Sequence, residues 1–240
     1  MGWIESWIKN RHDKALEHFD EALKYNPNNV TALMWKSITC RAIKRQEEAI
    51  DLSLKSVELD PNNHVAHMVL SRAYSSNFQY DKAEQAARKS VGLKPDYGMG
   101  HSILFSVLAM QENKRDEMIK HIQSLEALST RDWNMESSIF LYHYYFGTEE
   151  SFQKAADYMK NKAELTNYDL KGFPLYYFCI GEKELGYKIL EEGVKNGLVY
   201  LMGTHRHLMD WDVIKNEERY KALYGDAYWV VAAGAGFRSS

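Results

Sequence analysis

Cysteine and proline are both scarce in this chain: two cysteines and four prolines in 240 residues. Cys40 and Cys179 fit no metal-binding or redox spacing, so they read as small buried hydrophobes in a reducing compartment. Charge of one sign is also missing. With 30 basic and 33 acidic residues the net charge is −3, which gives no electrostatic case for a nucleic-acid or anionic-membrane surface. Basic clusters such as Arg41, Lys44 and Arg45 read as solvated helix faces. No apolar run approaches the ~20 residues needed to cross a bilayer, and Met1-Gly-Trp-Ile-Glu-Ser-Trp7 lacks the basic-then-apolar layout of a signal peptide. A Gly-rich phosphate loop, a nucleophile elbow and a Cys/His dyad are all absent from the sequence. These absences leave a soluble, cytoplasmic, non-enzymatic protein without a cofactor as the expectation. The 45% of hydrophobic residues is ample for a core and excludes disorder.

What is present is a period. Pro27, Pro61 and Pro95 are separated by 34 residues each (61 − 27 and 95 − 61). Their surroundings agree: Ala22-Leu-Lys-Tyr-Asn-Pro-Asn-Asn29, Ser56-Val-Glu-Leu-Asp-Pro-Asn-Asn63 and Ser90-Val-Gly-Leu-Lys-Pro95. A fixed period of this length marks a repeat solenoid, each repeat a helical hairpin that stacks on its neighbours. Apolar residues at helical spacing predict helices over 30–42, 48–59, 64–75 and 81–93. Small residues recur in phase at Ala15, Ala49 and Ala83 and at Ala22, Ser56 and Ser90, where a small side chain lets two helix backbones approach closely. The Pro-Asn-Asn steps cannot continue a helix and reset the chain for the next one.

On these residues the chain resembles the tetratricopeptide repeat family, whose pattern is a small residue, an aromatic, a second small residue and a proline. Ala15, Phe19, Ala22 and Pro27 match it in full. Ala49, Ser53, Ser56, Pro61 and Ala83, Ala87, Ser90, Pro95 match with the aromatic lost, while Tyr74 and Tyr80 occupy further family positions. The resemblance implies an all-α, right-handed superhelical solenoid of about five to six antiparallel hairpins with a C-terminal cap helix. Residues 1–126 hold recognisable repeats, with Met118, Ile122 and Leu125 as inward positions of the fourth. Residues 127–200 hold degenerate ones: helices over 133–146 and 150–165 turned by Gly147, then 174–180 and 183–195 turned by Gly181, with Gly186, Leu190 and Gly193 in small-large-small order. Residues 201–225 form the cap, completing a single solenoid over 1–225, and 226–240 an apolar tail.

The C-terminal stretch carries a second resemblance. Ile189–Val194, Leu208–Ile214 and Glu218-Arg-Tyr-Lys-Ala-Leu223 look like the closing segment of tetratricopeptide-repeat regions in bacterial signalling and transcription regulators. There a short helix plugs the last hairpin, as Glu218, Arg219, Tyr220 and Leu223 would here, although the usual proline before the arginine is missing. Independently of the resemblance, Trp211, Ile214, Tyr220 and Leu223 form one apolar stripe suited to covering a solenoid end.

At the other end, the repeat register places Met1 already inside the first helix of its hairpin. It favours a chain cut from a larger protein over a degenerate first repeat. In arrays of this family the first helix of each hairpin lines a concave face. The register puts Ile4, Trp7 and Ile8, then Met34, Ile38 and Arg41, then Val65, Met68 and Arg72, then Met99 there. One reading is a methionine-rich apolar groove for a peptide or protein segment; the other is ordinary contact between helices, since a register error of one residue exchanges groove for core. Homo-oligomerisation through Trp3, Trp7 or the 228–237 tail is the alternative function. A metal-dependent enzyme built on His205, His207 and Asp210 is a weaker reading, because a third spatially fixed ligand is not identifiable. Tyr142, His143, Tyr144 and Tyr145 read as aromatic core packing rather than as a stacking surface for bases or sugars.

Overall fold

Asn29 and Asn63 stand one period apart and act alike. Asn29 Oδ1 accepts from Ala32 N (3.0 Å), and Asn63 Oδ1 accepts from Val65 N (3.0 Å) and Ala66 N (3.1 Å). Satisfying these first N–H groups stabilises a helix start by about 1 kcal/mol, so Pro-Asn-Asn closes one helix and caps the next. The computed structural model of the protein describes residues 12–166, 174–195 and 218–219. Among the described residues there are eleven α-helices, one 3-10 turn and no strand, giving the all-α solenoid of helical hairpins that the period implies. The chain divides into two compact units, Met1–Arg115 and Asp116–Ser240.

The first unit contains α1 (His12–Tyr25), α2 (Val30–Ala42), α3 (Gln46–Leu59), α4 (His64–Ser76), α5 (Tyr80–Leu93) and α6 (Gly98–Ala109). Helix starts at Val30, His64 and Gly98 keep the 34-residue spacing. Neighbouring helices pack in chain order, α2 on α3 and α4 on α5 most extensively. Ala15, Ala49 and Ala83 are each fully buried, as are Ser56 and Ser90, so these small residues sit where the helices meet, while Ala22 of the same series is half-buried. A hydrogen bond repeats with them: Ser37 Oγ donates to Ala49 O and Ser71 Oγ to Ala83 O, both at 2.8 Å. Where the second repeat lacks the family aromatic, Ser53 Oγ lies 2.6 Å from Ser37 Oγ, a buried polar pair in place of a ring. Leu16, Cys40, Ala49, Ile50 and Ala73 form one core cluster. Burial pushes the Cys40 thiol up to about 11, consistent with its reading as a small hydrophobe.

The turns inside the hairpins share a second device. Lys44 N donates to Arg41 O and Arg45 N to Cys40 O; one period later Phe78 N donates to Ser75 O and Gln79 N to Tyr74 O. This is the Schellman pattern, which requires a left-handed residue just past the helix. Lys44 (φ 66°) and Phe78 (φ 58°) supply it, although neither is glycine. Arg45 therefore completes a cap, and α3 begins two residues before the start expected from apolar spacing. Lys44 is exposed, so Lys44→Gly removes only the steric cost of the left-handed conformation. Thermal unfolding of that variant is expected to show a gain of about 1 kcal/mol, the left-handed penalty less the flexibility that glycine adds to the unfolded chain.

The second unit contains α7 (Arg115–Glu126), α8 (Trp133–Phe146), α9 (Glu149–Thr166), α10 (Pro174–Cys179) and α11 (Lys183–Lys195). Met118, Ile122 and Leu125 of α7 are all buried. Asp132 caps α8, its Oδ1 accepting from Asn134 N and Met135 N at 3.0 Å. Behind the α8–α9 hairpin the Phe140 ring meets Phe152 (5.7 Å) and Tyr176 (5.4 Å). Glu136, only 2% exposed, is the ionic centre of the hairpin. Its Oε1 accepts from Arg131 Nε (3.0 Å), Lys162 Nζ (2.7 Å) and Tyr158 Oη (3.0 Å). In the last hairpin, Gly186 faces Phe178 so closely that a Cβ there would lie 2.7 Å from the ring, which explains the glycine at the small position.

Candidate protein-binding face

The expected groove residues on α2 are Met34, Ile38 and Arg41, spaced i, i+4, i+7 and so placed on one helix face. All three are half-buried. On α4, Val65 and Arg72 are half-buried, while Met68 is 7% exposed and packed among the helices. Met99 is half-buried and is the one α6 residue that is not buried; Gly98 and Gly100–Ala109 are all covered. The open part of the first-helix face among the described residues therefore lies on α2, on Val65 and Arg72 of α4, and at Met99. It combines thioether and branched aliphatic groups with two guanidinium groups, a surface fit for apolar side chains with a polar contact beside them. Ile4, Trp7 and Ile8 lie outside the described residues, as do Trp3 and the 228–237 tail.

Two histidines that the sequence reading passed over hold this face in place. His67 Nε2 lies 2.9 Å from Pro61 O and His101 Nε2 lies 2.8 Å from Pro95 O. A carbonyl only accepts, so each imidazole donates, tying the first turn of α4 and of α6 back to the proline turn before it. Their spacing, 101 − 67 = 34, was the signal that could have found them. On α2 Lys36 makes a different link, its Nζ reaching Asp20 of α1 (2.6 Å) and Glu48 of α3 (3.4 Å).

The metal candidates His205, His207 and Asp210 lie outside the described residues, and among the described residues no group of three or more His, Cys, Asp or Glu is arranged to hold a metal ion. No helix among them is long and apolar enough to cross a membrane. Of the expected cap, Glu218 and Arg219 are described. Arg219 donates from Nε to Glu191 (2.7 Å) and from Nη1 to Glu184 (2.8 Å), with its guanidinium over the Tyr187 ring at 4.7 Å. Hydrogen bonding from Arg219 holds the Glu191 carboxyl below the usual carboxylate range. The aromatic run of α8 makes ring contacts, Tyr144 with Tyr145 (4.9 Å) and Phe152 (5.4 Å) and Tyr142 with His143 (5.1 Å), but all four residues 142–145 are half-buried rather than in the core as expected.

These hairpins have the architecture of tetratricopeptide-repeat proteins, a class of protein-interaction scaffolds. The tetratricopeptide repeat family model matches residues 2–29 and 65–97. Among solved structures, that of MamA is similar, with 24% identity over 65% of this chain and 93% of that one and a TM-score of 0.54. So is TTC0263, a thermophilic TPR protein of Thermus thermophilus, with 23% identity over 67% of this chain and 86% of that one and a TM-score of 0.55. No curated protein matches the chain. At these identities the two structures establish the fold.

Proposed function

We propose that the chain is the regulatory, protein-binding part of a bacterial signalling or transcription regulator. It works in the cytoplasm and holds an apolar segment of its partner against Met34, Ile38, Val65 and Met99. The reading of residues 1–225 as one solenoid belongs with this proposal. The observation that carries it is the half-buried apolar face on α2 and α4, set on hairpins whose period, caps and crossings follow the tetratricopeptide-repeat pattern. Arg41 and Arg72 beside it add polar selectivity. Recognition is by shape and apolar complementarity, and no catalytic residue is required, in keeping with a class whose members are in general non-enzymatic interaction modules.

The test places a photo-crosslinking amino acid at Ile38, and in a second version at Lys55, which is exposed on α3. The Ile38 version is expected to form one defined adduct that the Lys55 version does not. Adding Met34→Glu should weaken capture about tenfold or more, because a carboxylate facing an apolar segment loses its water without a partner. Equal crosslinking from both positions would refute the reading. An adduct of twice the chain mass would instead select homo-oligomerisation.

A further inference from the structure

α9 and α10 enclose a cleft of about 610 Å³ within the second unit. One side is a stripe of α9 carrying Glu149, Phe152, Asp157 and Lys160; the other is α10 with Tyr176, and Tyr144 of α8 also lines it. In the first unit, α3 packs along α4 and α5 along α6 at the equivalent junctions. Here Tyr176 Oη of α10 donates to Ala156 O of α9 (3.3 Å), and the open space lies beside that buried contact. From Glu149 to Lys160 the stripe runs about 17 Å at 1.5 Å per residue, the length of about five extended residues. Glu149, Asp157 and Lys160 are all exposed, so their charges meet solvent at the cleft rim. Lys160 stands one turn from Asp157, whose Oδ1 accepts from Gln153 Nε2 (3.1 Å), and Glu149 carries a carboxylate at the other end.

Carboxylates beside aromatic rings hold cations elsewhere in this unit. Arg131 lies 5.4 Å from the Tyr158 ring centre and Lys162 lies 5.6 Å from that of Trp133, both ion-paired to Glu136. Arg219 lies over Tyr187 between Glu184 and Glu191. The cleft offers the same two components on a surface open to another molecule. The geometry points to a second binding site, independent of the first-helix face: the α9–α10 cleft takes a short extended peptide segment with an arginine or lysine, its cation set against Tyr144 and Phe152 and balanced by Glu149 and Asp157. Ring quadrupole and carboxylate both attract the cation, while the peptide's apolar neighbours cover the exposed ring edges.

Calorimetric titration of the full chain tests this with acetyl-Ala-Leu-Arg-Leu-Ala-amide and its citrulline counterpart, which keeps the shape and removes the charge. The arginine peptide is expected to bind about tenfold more tightly than the citrulline one, the size of one exposed cation–π contact and one exposed ion pair together. The double variant Glu149→Gln/Asp157→Asn should lose that discrimination while keeping the helical content and melting profile of the parent. A control with the same charge change on α3, Asp51→Asn/Glu58→Gln, should keep it. Absence of binding, equal affinity for both peptides, discrimination that survives in the cleft variant, or its loss in the control would each overturn the inference. None of these readings depends on a partner being captured at Ile38.

Discussion

Glu136→Ala is expected to destabilise the second unit by about 3 kcal/mol, since removing one member of a buried ion pair strands the charges it balanced. Arg131 and Lys162 have side chains only 16% and 19% exposed, and both donate to the same carboxylate oxygen. Lys162 Nζ also donates to Arg131 O (2.8 Å), so the loss of Glu136 leaves one ammonium holding a loop together with a guanidinium close by. The Tyr158 hydroxyl loses its acceptor at the same time. Denaturant unfolding followed by circular dichroism measures the effect as a drop in midpoint. Lys154→Ala is the comparison: its ion pair with Glu150 is also short, 2.6 Å, but both side chains are at least 75% exposed. That change should stay within about 0.5 kcal/mol, as exposed pairs contribute little. If Glu136→Ala behaved like Lys154→Ala, the network would not be what fixes α8 to α9.

Ala83→Leu is the second large effect, expected to cost about 3 kcal/mol. Ala83 is fully buried where α5 crosses α4, and its carbonyl accepts the Ser71 hydroxyl at 2.8 Å. A leucine has no space there without pushing the helices apart. Such overpacking costs about 1–3 kcal/mol, and separation of the helices also strands the buried Ser71 hydroxyl. Thermal melts give the loss directly. Ala86→Leu, three residues on, keeps the helix propensity similar and separates the crossing from general burial, because Ala86 is 6% exposed and lies off the 34-residue register of small positions. A smaller loss at Ala86 than at Ala83 is the expected outcome; the reverse order would detach the repeat register from the helix crossings.

Much of the fold was legible because a repeat states its constraints several times over. Val30–Ala42 and Trp133–Phe146 begin and end where the apolar spacing, prolines and glycines put them. Ala15, Ala49 and Ala83 share one environment because each hairpin meets the same packing problem. Local chemistry also explains the boundaries that moved: α3 and α5 start earlier than expected because Lys44 and Phe78 take left-handed caps without glycine, and a non-glycine left-handed residue leaves no mark in composition.

Side-chain placement across helices was less legible. Met34 and Met68 are one period apart, yet Met34 is half-open and Met68 is buried. The period assigns both to one helix face, but how much of a face stays open depends on what packs beside it. The α9–α10 cleft is a sharper case. Its α9 stripe sits at ordinary helical spacing, indistinguishable in sequence from a solvated face, and becomes a cleft wall only because α10, joined to α9 through Tyr176 Oη and Ala156 O, lies beside it. The convergence of Arg131, Tyr158 and Lys162 on Glu136 likewise joins residues up to 31 positions apart. The amino-acid sequence by itself determined the helices, the Pro-Asn-Asn breaks between hairpins, the crossings and the period, since these follow from backbone hydrogen bonding and side-chain volume within one repeat. The tertiary structure alone decided which surfaces stay open and which charges meet, because burial and electrostatics depend on distances between helices that no local pattern encodes.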